Sequence, residues 1–387
     1  MQKITLFCLD SISNAGEDIL GTTTEYLINE CDRNITLERR QLLPNWKSFS
    51  FPFKLVAVFA KLVFLLGRAF RGNTQFKILN YSYCIKYSHY YTSIIKHTDK
   101  VIFSVGMFKY STQNFSYIYH LIVSIADKYH KDVMISAASV EKAKQNDWRS
   151  RQLGKTLNYP SLKIFSTRDG KGGKARLLEY GAPETLRIDE VGDPALWIKE
   201  AYGYKQASAK NVVGINVIRS DIFLDYGGNI SQERVIEFYI HIIKELEKKG
   251  EDWILFCDGM ECDFQVGLLI LKQLGLSSDK LLEPKRTGKE LMNAISSCKC
   301  VIASRFHACM TAYTLHVPFV GFIWDDKIKF FSEITGMQKF FLVEEDFHAD
   351  NAIKILKFAL DNQPDYSVSE SLRIKTKKSI SDFLTSN

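Results

Sequence analysis

Arg219, Ser304, Arg305 and His307 are the side chains in this 387-residue sequence whose types and placement suit anion chemistry. Three of them share one turn. Cys300–Ala303 is a short apolar run of the kind that forms a buried parallel strand, and Ser304, Arg305 and His307 follow where the next helix must begin. Ser304 is placed to cap that helix. A helix start presents backbone N–H groups without intrahelical acceptors, at the positive end of the dipole, so it favours an anion. Arg305 adds a planar fork of donors, and His307 adds a group that exchanges a proton near neutral pH. Arg219 closes another strand, Val212–Ile218, which in a parallel sheet ends on the same rim. Two arginines and a helix start around one point suit a small phosphate or carboxylate ligand, multiply charged, that is protonated during the reaction.

The elements that must position these residues read as a β-α alternation. Strands are expected at Lys3–Leu9, Lys100–Val105, Val133–Ser136 and Lys163–Ser166, with helices at Tyr117–Tyr129 and Gly172–Tyr180. The segment DSISNAGEDILG (10–21) reads as a loop before a helix over TTTEYLINECD. Val191–Asn211 loses periodicity and reads as a linker. A second series follows, with strands at Val212–Ile218, Trp253–Cys257, Cys300–Ala303 and Phe319–Ile323. Its helices are expected at Ser231–Lys249, Phe264–Leu274, Lys289–Ser296 and Arg305–Leu315. The expected architecture is α/β, with two Rossmann-like domains, 1–190 and 212–387, joined by residues 191–211 and facing a central cleft.

Composition is that of a globular chain, 46% hydrophobic and 25% charged, which excludes disordered and collagen-like classes. No apolar run reaches the roughly 18 residues of a spanning helix, and the N-terminus does not read as a signal peptide. The eight cysteines have no zinc-finger spacing and read as reduced cytosolic thiols. The net charge is +7, yet Gln41–Thr98 contains eight Lys or Arg and no Asp or Glu, so the excess is local. Within it, Phe49–Phe70 is the most apolar run, and Lys54, Lys61 and Arg68 recur every seven residues, with Arg71 beside that stripe. An apolar helix with a basic stripe reads as lying on an anionic membrane surface, or as a core helix whose basic chains reach outward. A nucleic-acid partner is not expected, because no binding motif is present and the apolar face would be unexplained. The tyrosine-rich run Tyr81–Tyr91 suits either sugar stacking or internal packing.

SRFH (304–307) followed by HVPFVGFIWDDKIKFF (316–331) resembles the signature of the polysaccharide pyruvyl transferase family. The order of other segments agrees: SISNAGEDIL (11–20), FSVGMF (103–108), STRDGKGGKARLLEYGAP (166–183) and VGDPALW (191–197) resemble the family's Asn-x-Gly-Asp loop, Gly-rich strand end, Arg-Asp strand end and Asp-Pro linker. The resemblance implies a GT-B-like fold and transfer of pyruvate from phosphoenolpyruvate to two hydroxyls of a sugar, with galactose and a 4,6-ketal as one option. It also implies that Arg219, Ser304, Arg305, His307 and the backbone at Phe306 hold the donor, with His307 as the acid. Asn14, Gly16, Arg168 and Lys327 fall on family motifs as further binding positions. Glu17 stands where the family has Asp and Asp18 follows, so either is the candidate acceptor-side base, expected from the N-terminal lobe. Trp324 replaces the family's Tyr, Asp326 replaces its Pro, and the Gly-rich strand end is reduced to Gly106.

This chemistry calls for no metal and no cofactor. A bacterial surface or capsular polysaccharide pathway implies a lipid-linked oligosaccharide acceptor and a cytoplasmic protein peripheral to the inner face of the membrane. Two other functions fit parts of the sequence. A GT-B nucleotide-sugar glycosyltransferase commonly has an acidic residue near this helix start, where this chain has Arg305 and His307. A non-catalytic membrane-docked scaffold leaves the clustering of Arg219, Arg305 and His307 without a reason. On sequence grounds, replacing either arginine disables donor use while leaving the fold intact.

Overall fold

The computed structural model describes residues 1–387 apart from 10–13, 45–50, 112–113, 206–210, 363 and 387. The chain forms two compact units. Unit 1 comprises Met1–Ser11, Thr24–Gly192 and Lys375–Asn387, and unit 2 comprises Ile12–Thr23 and Asp193–Ile374. Each unit is therefore discontinuous, where a single linker at 191–211 implies two contiguous lobes.

Unit 1 contains β1 (Gln2–Cys8), β2 (Ile35–Gln41), α2 (Phe51–Gly67), α3 (Gly72–Ile95), β3 (Lys100–Ser104), β4 (Met107–Phe108) and α4 (Phe115–Lys128). It continues through β5 (Asp132–Val140), α5 (Trp148–Leu157), β6 (Leu162–Thr167), α6 (Gly170–Glu179) and β7 (Arg187–Glu190). The sheet order is β2-β1-β3-β5-β6-β7, with β4 pairing β5, and every pairing is parallel. β3 is buried along its whole length, as a strand covered on both faces must be. β2 (ITLERRQ) is a polar edge strand that no apolar run announces. α3 packs on α2, and Ser82 Oγ donates to the Ala60 carbonyl at 2.6 Å. Tyr83 stacks on Tyr87 and Tyr117, and the buried Tyr91 hydroxyl donates to the Leu42 carbonyl at 2.5 Å. This inner part of the tyrosine run is packing surface.

Helix α1 (Ala15–Cys31) begins six residues before the end of the expected loop 10–21. Its start is fixed by Asn14, whose side-chain oxygen accepts the Gly16 N–H at 2.9 Å while its carbonyl accepts Glu17 N–H at 3.2 Å. Positions 10–13 of that loop lie outside the described residues. The first half of α1 belongs to unit 2.

Unit 2 continues with α7 (Ile198–Ala201), β8 (Val212–Asn216), α8 (Ile222–Asp225), α9 (Gln232–Lys248), β9 (Asp252–Phe256), α10 (Glu261–Leu274) and α11 (Gly288–Ser296). Then come β10 (Cys300–Ala303), α12 (Phe306–Leu315), β11 (Phe319–Phe322), α13 (Asp326–Ile334), β12 (Phe341–Leu342), α14 (Ala349–Asp361) and α15 (Ser367–Thr385), whose last turns belong to unit 1. The sheet order is β12-β11-β10-β8-β9, all parallel. α9 buries Val235, Phe238, Tyr239, Ile242, Ile243 and Leu246, a helical stripe in which each full-sized side chain contributes about 1.5–3 kcal/mol. Its N-cap Ser231 accepts Arg234 N–H, and Thr287 and Glu290 form a capping box on α11.

In unit 1, the buried ammonium of Lys100, at the start of β3, donates to the carbonyls of Phe383, Leu384 and Ser386 at the end of α15. It satisfies acceptors that a helix C-terminus otherwise leaves open.

Candidate active site

Because β8, β9, β10 and β11 run parallel, their C-terminal ends lie on one rim of the unit 2 sheet. β8 ends at Asn216, which is fully buried and organises that rim. Its Oδ1 accepts Ser304 N–H at 3.1 Å and Arg305 N–H at 2.9 Å, and its Nδ2 donates to Asp258 Oδ1 at 2.8 Å. Ser304 does not cap α12. Its hydroxyl donates to the Asn216 carbonyl at 2.6 Å and meets Tyr239 Oη at 2.6 Å. The N-cap position is Arg305, in extended conformation and without a side-chain cap. Ser304 thus holds the turn, and α12 begins with Phe306 and His307 directly after it.

Arg305 is clamped. Its Nε donates to Asp263 Oδ2 at 2.8 Å and its Nη2 to Asp263 Oδ1 at 2.6 Å, the paired geometry that fixes a guanidinium plane. Asp263, on α10, is 0% exposed. Burial works against the Arg305 charge, but Asp263 outweighs it and holds the guanidinium pKa above its ordinary value. Nη1 takes no part in this clamp. Arg219 is joined to the same carboxylate through its backbone N–H, at 2.8 Å. Its side chain pairs instead with Asp221 at 2.7 Å and Asp225 at 2.5 Å, both substantially exposed. The structure therefore brings Arg219, Ser304, Arg305, Phe306 and His307 together. It adds Asn216, Tyr239, Asp258 and Asp263, which the sequence reading did not single out.

Lys327 pairs with Asp325 at 3.0 Å and lies over the Trp324 ring at 5.0 Å. The Trp324 indole N–H donates to the Ser304 carbonyl at 2.6 Å, and the Arg305 guanidinium carbon is 5.9 Å from the ring centre. Trp324 and Asp325, with Tyr226, Gly227 and Gly228, line a cavity of about 290 Å³. Among the described residues, no three His, Cys, Asp or Glu side chains gather as metal ligands would.

The start of α1 completes the rim. Ala15 N–H donates to the Asp258 carbonyl at 3.0 Å, and Gly16 lies directly against the His307 imidazole. A Cβ at Gly16 would fall inside the contact radius of Nδ1, so only glycine fits there. Asp18 Oδ2 accepts Tyr202 Oη and Gly288 N–H, each at 2.7 Å, tying α1 to the start of α11. Asn14, Gly16, Glu17 and Asp18 were expected as part of an N-terminal lobe, but they group with unit 2. The reason is this set of bonds from the first turn of α1. Arg168 groups with unit 1, where its Nη2 donates to the Gly106 carbonyl at 2.8 Å. The adjoining Asp169 accepts from Ser139 Oγ and Val140 N–H.

Two expectations follow. Gly16→Ala should displace His307 and lower turnover on the order of 100-fold, with little change in melting temperature. Steady-state kinetics beside a thermal melt checks it, and wild-type turnover would show that the imidazole tolerates movement. Burial pushes the Asp258 carboxyl up to about 7, opposed by Arg305 and aided by Asp263. The native state then holds a proton that the unfolded chain releases near pH 4, so stability should fall as pH rises between about 4 and 7. Melting temperature against pH should show this slope, and Asp258→Asn should flatten it while keeping an acceptor for Asn216.

Solved structures of similar fold include S. aureus MnaA with UDP, at 12% identity, covering 96% of this chain and 95% of that one, with a TM-score of 0.56. The UDP-GlcNAc 2-epimerase of Methanocaldococcus jannaschii gives 13%, 97%, 99% and 0.55. A putative UDP-N-acetylglucosamine 2-epimerase of Listeria monocytogenes gives 12%, 99%, 94% and 0.55. These place the fold as GT-B. No curated protein matches the chain. The polysaccharide pyruvyl transferase family model matches residues 14–326, from the asparagine that starts α1 to the first residue of α13. That span encloses the rim just described except Lys327, and the chain belongs to the polysaccharide pyruvyl transferase family.

Proposed function

We propose that this protein transfers pyruvate from phosphoenolpyruvate to two hydroxyls of a sugar, forming a cyclic ketal on a lipid-linked precursor of a surface polysaccharide. The observation that carries this reading is Arg305, fixed by a buried carboxylate at the N-cap of a helix whose first turn holds His307. Family membership supports the pyruvyl transfer class.

The two arginines differ in how they meet a dianionic donor. The Asp263 carboxylate is buried and holds Arg305 by two bonds, so Arg305 offers Nη1 in a set direction. The carboxylates on Arg219 are exposed, and such pairs contribute at most about 1 kcal/mol. A phosphate or carboxylate displaces Asp221 and Asp225 readily and turns Arg219 toward itself. The start of α12 adds N–H groups and a dipole of favourable sign.

His307 then delivers a proton to the methylene carbon of the donor, leaving an electron-poor C2 that one sugar hydroxyl attacks. The second hydroxyl attacks C2 as the bond from C2 to phosphate breaks, the hydroxyl proton passing to the now neutral His307, so that phosphate leaves and the ketal closes. Glu17 and Asp18, both in the first turn of α1, are the candidates to take the first hydroxyl's proton. Incubation with phosphoenolpyruvate and a galactoside acceptor should release inorganic phosphate in step with a ketal-bearing product. Release of a nucleoside diphosphate from a nucleotide sugar, with none from phosphoenolpyruvate, would overturn this reading in favour of a glycosyltransferase.

A further inference from the structure

Helix α2 presents to solvent a face that packing normally covers. Leu55, Phe59, Leu62 and Leu66 are 60%, 56%, 55% and 65% exposed, and Val58 and Leu65 are exposed with them. At about 100° per residue these six fall within one third of the helix circumference. The other side is occupied: Ala60 and Gly67 are buried, and Gly67 lies against Ile78 and Leu79 of α3. Lys61 and Arg68, seven residues apart and both exposed, run along one margin of the apolar face. Arg71 follows, also exposed, and no acid occurs in the sequence from Gln41 to Thr98. Exposed apolar patches of this extent mark interaction surfaces.

We propose that α2 docks unit 1 on an anionic lipid bilayer, lying in the headgroup plane with its leucines and Phe59 in the acyl boundary. At 17 residues α2 is too short to cross a bilayer, and no helix among the described residues is long and apolar enough to do so. An apolar face edged by basic side chains is what a helix parallel to an anionic surface requires. A second copy of this chain is a poorer occupant, because a two-fold contact would bring basic margins together with no acid on α2 or α3 to offset them. Between α2 and α3 lies a cavity of about 390 Å³ lined by Val58, Phe64 and Tyr83, with Lys61 and Lys86 on its wall. It accommodates the end of an acyl chain with its anionic head beside the lysines.

The test is cosedimentation of the whole protein with vesicles of phosphatidylglycerol and phosphatidylcholine in equal parts, against phosphatidylcholine alone, at rising sodium chloride. Binding should require the anionic lipid and weaken with salt. Lys61→Glu/Arg68→Glu/Arg71→Glu and, separately, Leu62→Glu/Leu66→Glu should each lower partitioning on the order of tenfold or more. All of these side chains are exposed, so circular dichroism and activity on a soluble acceptor should stay as in the wild type. No binding to anionic vesicles at low salt, or binding that neither variant weakens, overturns the proposal. A lipid-free dimer that Leu62→Glu/Leu66→Glu converts to monomer also overturns it, assigning the face to self-association. Vesicle binding involves no donor chemistry, so it succeeds or fails independently of pyruvyl transfer.

Discussion

Arg305→Ala should reduce phosphate release on the order of 100- to 1,000-fold and should also destabilise unit 2. The first effect follows from losing a pre-aimed donor at the site of developing charge. The second follows from Asp263, fully buried and left without its guanidinium. Breaking a buried pair by removing one partner costs about 3–5 kcal/mol. This revises the expectation from sequence that the substitution spares the fold. Arg305→Ala/Asp263→Ala should recover much of the lost stability and none of the activity. Arg305→Lys keeps the charge without the fork and should lie between the two. Thermal melts and steady-state kinetics with varied phosphoenolpyruvate separate the outcomes. Wild-type kinetics in Arg305→Ala would remove this arginine from the donor site. Arg219→Ala should resemble it kinetically but not thermally, since the partners it leaves are exposed.

His307→Gln should abolish turnover while sparing donor affinity. Glutamine fills similar space and donates a hydrogen bond, yet it delivers no proton at neutral pH, and positioned acid catalysis contributes roughly 100- to 10,000-fold. The expected pattern is a collapsed kcat with an unchanged donor Kd by calorimetry, and loss of one limb of the pH–rate profile. Substantial turnover with the limb retained would assign the acid elsewhere. The contrast with Gly16→Ala is informative, because that change leaves the imidazole present but misplaced.

Much of the fold was legible because its strands are apolar runs of uniform burial. Cys300–Ala303 is found as expected, and β8, β9 and β11 differ from expectation by one or two residues at their ends. Of the strands missed, β2 and β7 are polar and half-exposed, and β4 and β12 are only two residues long, so all four are recognisable only through their neighbours. In the site, the turn itself was legible because its residues are adjacent. Its supports were not. Asn216 meets Ser304 and Arg305 across 88 and 89 residues, and Arg305 meets Asp263 across 42. A lone Asn ending an apolar strand, and two aspartates after another in CDGMECD, were the visible signs, and neither points to its partner. The start of α1 was misread because Gly16 and Gly21 suggest a loop, while the Asn14 bond to Gly16 starts the helix early.

The exchange of chain ends between the units has a consequence for the order in which this protein is made. Unit 1 is nearly complete once residue 192 has left the ribosome, but its buried Lys100 ammonium has no helix end to cap until Phe383–Ser386 arrive. The half translated first is finished last. Until then the Lys100 ammonium lacks both the acceptors and the Phe383 ring that cover it in the finished unit. Released chains ending near residue 200 should be far more sensitive to protease in unit 1 than full-length protein, and a peptide covering 375–387 supplied in trans should restore part of that protection.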